Sequence, residues 1–122
     1  GCLYCQAHTI LGAERFGCTK KRLEEVWNYE NSSAFSNAEK SALDFAFAAA
    51  SVPNKVTDKE ASQLKKYWND NDIVEIMGVI ALFGFLNRWN DSMGSALEDL
   101  PIEKGEEHLM KNTNWTPGKH RV

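Results

Sequence analysis

The chain opens on Cys2-Leu3-Tyr4-Cys5-Gln6-Ala7-His8, two thiols and an imidazole at three-residue intervals. Residues three apart on an α-helix are surface neighbours, so the two sulfurs can face each other. On a helical wheel Cys5 lies about 60° from both Cys2 and His8, whereas His8 lies about 120° from Cys2. The imidazole therefore serves Cys5 better. The first turn of a helix offers free N–H groups and the positive end of the dipole, and both favour a thiolate. A thiolate is a nucleophile and a reductant, while a thiol is neither. The pattern points to redox chemistry at a dithiol; the bland alternative is two buried, inert cysteines beside a capping histidine.

Other cysteine chemistries fit the spacing less well. Covalent haem attachment needs a histidine directly after the second cysteine, where Gln6 stands. A thioredoxin-like site needs βαβ units, and no stretch alternates with period two for long enough to make a strand. Cys2, Cys5 and His8 would supply three zinc ligands, but a closed structural site needs a fourth, from Cys18, His108 or His120. No second CxxC or HxxxH is present, so no metal site is expected. Three cysteines are an odd number, and two sit too close together to staple a fold, which favours a reducing compartment.

The elements that would position the dithiol read as helices throughout. A first helix from about Leu3 to Arg15 stops at Phe16-Gly17, where glycine can take the left-handed cap. Thr19 caps a second, through Leu23, Val26 and Trp27. Ser36-Asn37-Ala38-Glu39 and Thr57-Asp58-Lys59-Glu60 are capping boxes, opening helices that end before Pro53 and near Trp68. Asp70 or Asn71 then caps a long apolar helix ending near Gly94. Its run from Ile73 to Leu86 is too short and too interrupted for a membrane span, and it is expected to be buried on all sides. From Glu98 onward the chain turns polar and breaks at Pro101, Gly105, Pro117 and Gly118. Apart from a helical turn near 106–111, an extended tail is expected over 98–122.

With 43% hydrophobic and 25% charged residues, the composition is that of an ordered globular protein. One domain over 1–122 is expected. The net charge of −3 argues against a nucleic-acid binder, and no membrane partner is indicated. A reactive motif at the very start of the chain suggests the C-terminal portion of a longer protein.

The order of these motifs resembles the carboxymuconolactone decarboxylase superfamily, specifically its alkylhydroperoxidase D-like branch. The resemblance runs from Gly1 to Thr9, through 13–17, 39–46 and 56–58, to Phe85-Leu86-Asn87-Arg88-Trp89-Asn90-Asp91 and Asn114-Trp115-Thr116-Pro117-Gly118-Lys119-His120. It implies an all-α multihelical bundle of about five helices plus the tail, lacking the N-terminal helices of longer members. It further implies a homo-oligomer acting as a thiol-dependent peroxidase or disulfide oxidoreductase; no cofactor is expected, and the reducing compartment that the cysteines indicate is taken as cytoplasmic. By position Cys5 matches the peroxide-attacking sulfur and Cys2 the resolving one, with an external dithiol as reductant. His8 would be the proton relay. Two departures stand out: the best-studied members carry the relay histidine where Thr9 stands, and their relay glutamate would fall before Gly1. Tyr4 replaces a histidine of some members and is expected to pack. Two further functions compete: a non-enzymatic helical oligomer that senses redox state or binds metal, and lactone chemistry as in the superfamily's namesake, a branch without the cysteine pair.

Cys18 is expected to be structural, Glu75 to compensate a helix dipole, and Arg88 to pair with Asp91 or Asp44. Trp115, in a polar tail, is expected to cover a neighbouring subunit.

Overall fold

The computed structural model describes residues 1–122 and contains no strand. Seven α-helices follow one another: α1 (Leu3–Arg15), α2 (Lys20–Glu25), α3 (Asn37–Ala50), α4 (Asp58–Tyr67), α5 (Asp70–Met93), α6 (Asp99–His108) and α7 (Met110–Thr113). Two 3-10 segments, Val26–Asn31 and Gly118–His120, complete the set. The residues group into two compact units. One comprises Gly1–Ala34 with Leu86–Val122, the other Phe35–Phe85.

The first unit holds the cysteine motif. α1 ends as its sequence foretells: the Gly17 N–H bonds Glu14 O at 2.9 Å and the Cys18 N–H bonds Ala13 O at 2.9 Å. This is a Schellman closure, and it needs the left-handed φ of +87° that Gly17 supplies. Ala7, Ile10 and Leu11 face inward from α1, and the core continues through Leu23, Leu97, Leu109 and Trp115. α1 packs chiefly on α6. Cys18 packs against this core as a free thiol.

The extended tail expected over 98–122 is largely folded instead. Asp99–His108 is helical, and the segment after it doubles back onto α1. Trp115 is 2% exposed, and its indole N–H donates to Leu3 O at 3.2 Å. The surface it covers thus belongs to its own chain, which corrects the expectation of a neighbouring subunit. Its ring lies where a Cβ on Gly105 would stand, 2.5 Å from the nearest ring carbon, so only glycine fits there. Leu97 N–H to His120 O, at 2.8 Å, pins the end of the chain beside the start of α6.

The second unit is built on α3 packed against α4. Both capping boxes form, with Ser36 and Glu39 on α3 and Thr57 and Glu60 on α4. Leu64 is buried, and the Trp68 indole N–H donates to Ala38 O at 2.9 Å, tying the end of α4 to the start of α3.

α5 contributes to both units, and Asn69 rather than Asp70 or Asn71 caps it, its side chain accepting from the Asp72 N–H at 3.0 Å. The expectation that it is buried on all sides is not met: no residue of α5 is buried. Val74, Val79, Leu82 and Met93 are all more than half exposed. An apolar sequence tells that a helix wants cover, not that its own chain provides it. No helix is long and apolar enough to cross a membrane.

Candidate active site

Cys2 is the N-cap of α1, and its sulfur accepts the Cys5 N–H at 3.2 Å. This places Cys5 in the first turn, with the two sulfurs 3.0 Å apart and joined by a hydrogen bond. Both are free thiols and both are buried, at 3% and 6% exposure. A disulfide needs about 2.0 Å between sulfurs, so closure asks for a movement of roughly 1 Å. The helical spacing therefore brings the predicted pair together.

His8 sits one turn further along α1, and its Nε2 is engaged by Glu98 Oε2 at 3.0 Å. Its ring lies 4.4 Å from that of Tyr4, centroid to centroid, and Tyr4 lies 5.9 Å from His120. Tyr4 thus packs, as expected, between two imidazoles. Burial and the nearby Glu98 charge hold its hydroxyl above the usual phenol range. Thr9 turns its hydroxyl back onto the Cys5 carbonyl at 2.8 Å and serves its own helix.

Residues remote in sequence complete the surroundings. Asn90, near the end of α5, points its amide toward Cys5 Sγ at 3.7 Å; the same group donates to Leu86 O and accepts from Ser95 Oγ. His120 is fully buried. Its Nδ1 lies 2.8 Å from the Ser95 carbonyl oxygen, which can only accept, so Nδ1 carries the proton. Its Nε2 makes no hydrogen bond; Asp91 Oδ1 lies 3.6 Å away. Cys2 Sγ, an Asp91 carboxylate oxygen and an imidazole nitrogen of His120 all lie within 4.8 Å of one another. Lys119 Nζ, 3.3 Å from Asp91, holds that carboxyl below its ordinary range.

Burial, and then the hydrogen bond with the Cys2 sulfur, push the Cys5 thiol up to about 12, against the weaker opposing pull of Asn90. A thiol so placed stays protonated at neutral pH.

Sequence reasoning singled out Cys2, Cys5 and His8 but did not assemble Glu98, Asn90, Asp91 and His120 around them. The segments 85–91 and 114–120 carry three of these, of which the sequence offers His120 as a fourth zinc ligand and Asp91 as a partner for Arg88. The donors that could hold a cation together are Cys2, Asp91 and His120. A second group, Glu14, Glu107 and His108, already surrounds a cation of the chain itself: Lys104 Nζ lies 3.0 Å from Glu14 and 2.8 Å from Glu107.

No protein-family model matches the chain. An uncharacterized protein of Escherichia coli (strain K12), YnjA, is 31% identical over 103 residues, covering 84% of this chain and 53% of that protein. The crystal structure of the debrominase Bmp8 in its apo form superposes with a TM-score of 0.83 at 33% identity, over 88% of this chain and 57% of that one. A cysteine-to-alanine variant of Bmp8 in complex with 2,3,4-tribromopyrrole matches equally, with a TM-score of 0.83 at 32% identity. The chain spans little more than half the length of these relatives. Its helical fold is therefore one it shares, over most of its own length, with an enzyme.

Proposed function

We propose that the chain carries the redox centre of a dithiol-dependent reductase, in which Cys2 and Cys5 together deliver two electrons to an electrophile. The observation that carries this reading is the pair of reduced, buried sulfurs 3.0 Å apart at a helix N-terminus. With a hydroperoxide, a thiolate attacks the O–O bond, forming a sulfenic acid and releasing an alkoxide that takes up a proton. The second thiol condenses with the sulfenic acid, expelling water and leaving the disulfide. An external dithiol restores both thiols by exchange. The family resemblance supports the peroxide as substrate, and a dithiol that must be reset suits a reducing compartment such as the cytoplasm.

The similarity to a debrominase favours a second reading, in which the electrophile is an aryl bromide. There the thiolate takes the bromine and the ring takes a proton. The second thiol then displaces bromide, and the same disulfide results. We further propose a homo-oligomer, supported by the exposed apolar residues of α5.

One experiment separates the readings. The reduced protein is mixed with one equivalent of tert-butyl hydroperoxide or of 2,3,4-tribromopyrrole, and free thiols and bromide are counted. A loss of two thiols per chain, mapped by mass spectrometry to the peptide holding Cys2 and Cys5, is expected with the true substrate class. If neither reagent closes the pair, the reductase reading is wrong.

A further inference from the structure

We infer that His120 is the base that deprotonates Cys2, assisted by Asp91, and that Cys2 rather than Cys5 is the sulfur that attacks. The inference rests on the dithiol reading above and reverses the roles that the family resemblance implies.

The tautomer is the starting point. A backbone carbonyl can only accept, so the 2.8 Å bond to Ser95 O fixes the proton on Nδ1. The lone pair then sits on Nε2, in a fully buried side chain, with no hydrogen-bond donor of its own. Burying an acceptor in this way costs free energy unless a proton reaches it. A neighbouring source is Cys2, whose sulfur lies within 4.8 Å of the imidazole. That is long for direct transfer, but catalytic hydrogen bonds are often loose before substrate arrives. In the step, the Cys2 S–H bond breaks and an Nε2–H bond forms, so no electrons leave the pair of residues. The imidazolium then lies 3.6 Å from the Asp91 carboxylate, which Lys119 keeps ionised.

The remaining surroundings act in the same direction. As N-cap, Cys2 accepts the Cys5 N–H at 3.2 Å, and once ionised it can also accept the Cys5 S–H across the 3.0 Å gap. With the imidazolium, three donors converge on one sulfur, at the positive end of α1. Cys5 has the Asn90 amide at 3.7 Å and the Cys2 thiol as its side-chain hydrogen-bond partners. The groups that face His120 are Cys2 and Tyr4 from the start of α1, Asp91 from α5, and the Ser95 carbonyl, and Lys119 pairs with Asp91.

The test reads thiol ionisation without any substrate. The reduced protein is alkylated with iodoacetamide across a pH series, and mass spectrometry follows Cys2, Cys5 and Cys18 separately. Cys2 should react first, with an inflection below the ordinary thiol value of about 8.5. In His120→Gln the inflection should return toward that value, with the Cys2 rate at pH 7 falling about tenfold or more, since each unit is a factor of ten in thiolate. Asp91→Asn should move it the same way by less. This second variant decides the matter should His120→Gln fail to fold, because the Asp91 side chain is 46% exposed and its loss leaves the core intact. Faster alkylation of Cys5 than of Cys2, or an unchanged Cys2 profile in a folded variant, overturns the inference. These profiles are independent of whether peroxide or bromopyrrole closes the disulfide, so the base assignment and the reductase reading fail separately.

Discussion

Cys2 performs two tasks with one side chain: its sulfur caps α1 and belongs to the dithiol. The two can be separated by substitution. Serine keeps an acceptor for the Cys5 N–H, whereas alanine removes it. Cys2→Ala should therefore lose about 1 kcal/mol of stability, the usual cost of a lost N-cap, and Cys2→Ser much less. Urea denaturation of the reduced proteins checks the difference, and neither variant should form the disulfide. Cys5 supplies a second residue-scale expectation, in pH. Its folded thiol is held up to about 12, so it stays protonated while the unfolded chain ionises. The stability this contributes is complete below the ordinary thiol value of about 8.5 and is lost as pH rises toward 12. The urea midpoint of wild type should fall more steeply over that window than that of Cys5→Ser; parallel slopes would count against a buried thiol. Local spacing made the sulfur pair legible. It could not reveal that Glu98, ninety positions from His8, takes the imidazole, nor that His120 stands by Cys2.

At the scale of elements, the helices announced by caps are the ones sequence reads best. Thr19, Ser36 with Glu39, Thr57 with Glu60, and the Gly17 stop all act as their residue types dictate. α6 escaped because Pro101 and Gly105 look like breakers. Pro101 falls in the first turn, where its missing N–H has no partner to lose. Gly105 is present for packing: the Trp115 ring occupies the volume of its absent Cβ. Two effects of opposite sign meet at this position. Alanine would gain up to about 1 kcal/mol in helix propensity, yet a methyl at 2.5 Å from an indole must displace the ring. Overpacking of this kind costs about 1–3 kcal/mol, so Gly105→Ala should destabilise. A lower thermal midpoint with a red-shifted tryptophan emission is the expected result; a gain in stability would show that the ring yields freely. The consequence reaches the site, because Trp115 holds the Leu3 carbonyl in the turn between the two cysteines.

For the molecule as a whole, α5 sets the open question. Its sequence is apolar, but burial does not follow from that, because the chain does not enclose this helix. Instead Val74 is 71% exposed, Val79 58%, Leu82 53% and Met93 69%. Such side chains stabilise by about 1.5–3 kcal/mol each only when they leave water. Several large apolar side chains exposed on one helix mark an interaction site. In the proposed homo-oligomer a second copy supplies the cover. Val79 and Leu82, three apart on one helix face, are then central to the contact, and a carboxylate introduced there must be desolvated without a partner. Val79→Glu and Leu82→Glu should each shift the mass seen by light scattering at micromolar concentration from a multiple of the chain to a single chain. Neither residue belongs to the unit that holds the dithiol, so iodoacetamide profiles of Cys2 and Cys5 separate loss of assembly from damage to the site. A wild-type chain that is already monomeric would reject the second copy as cover.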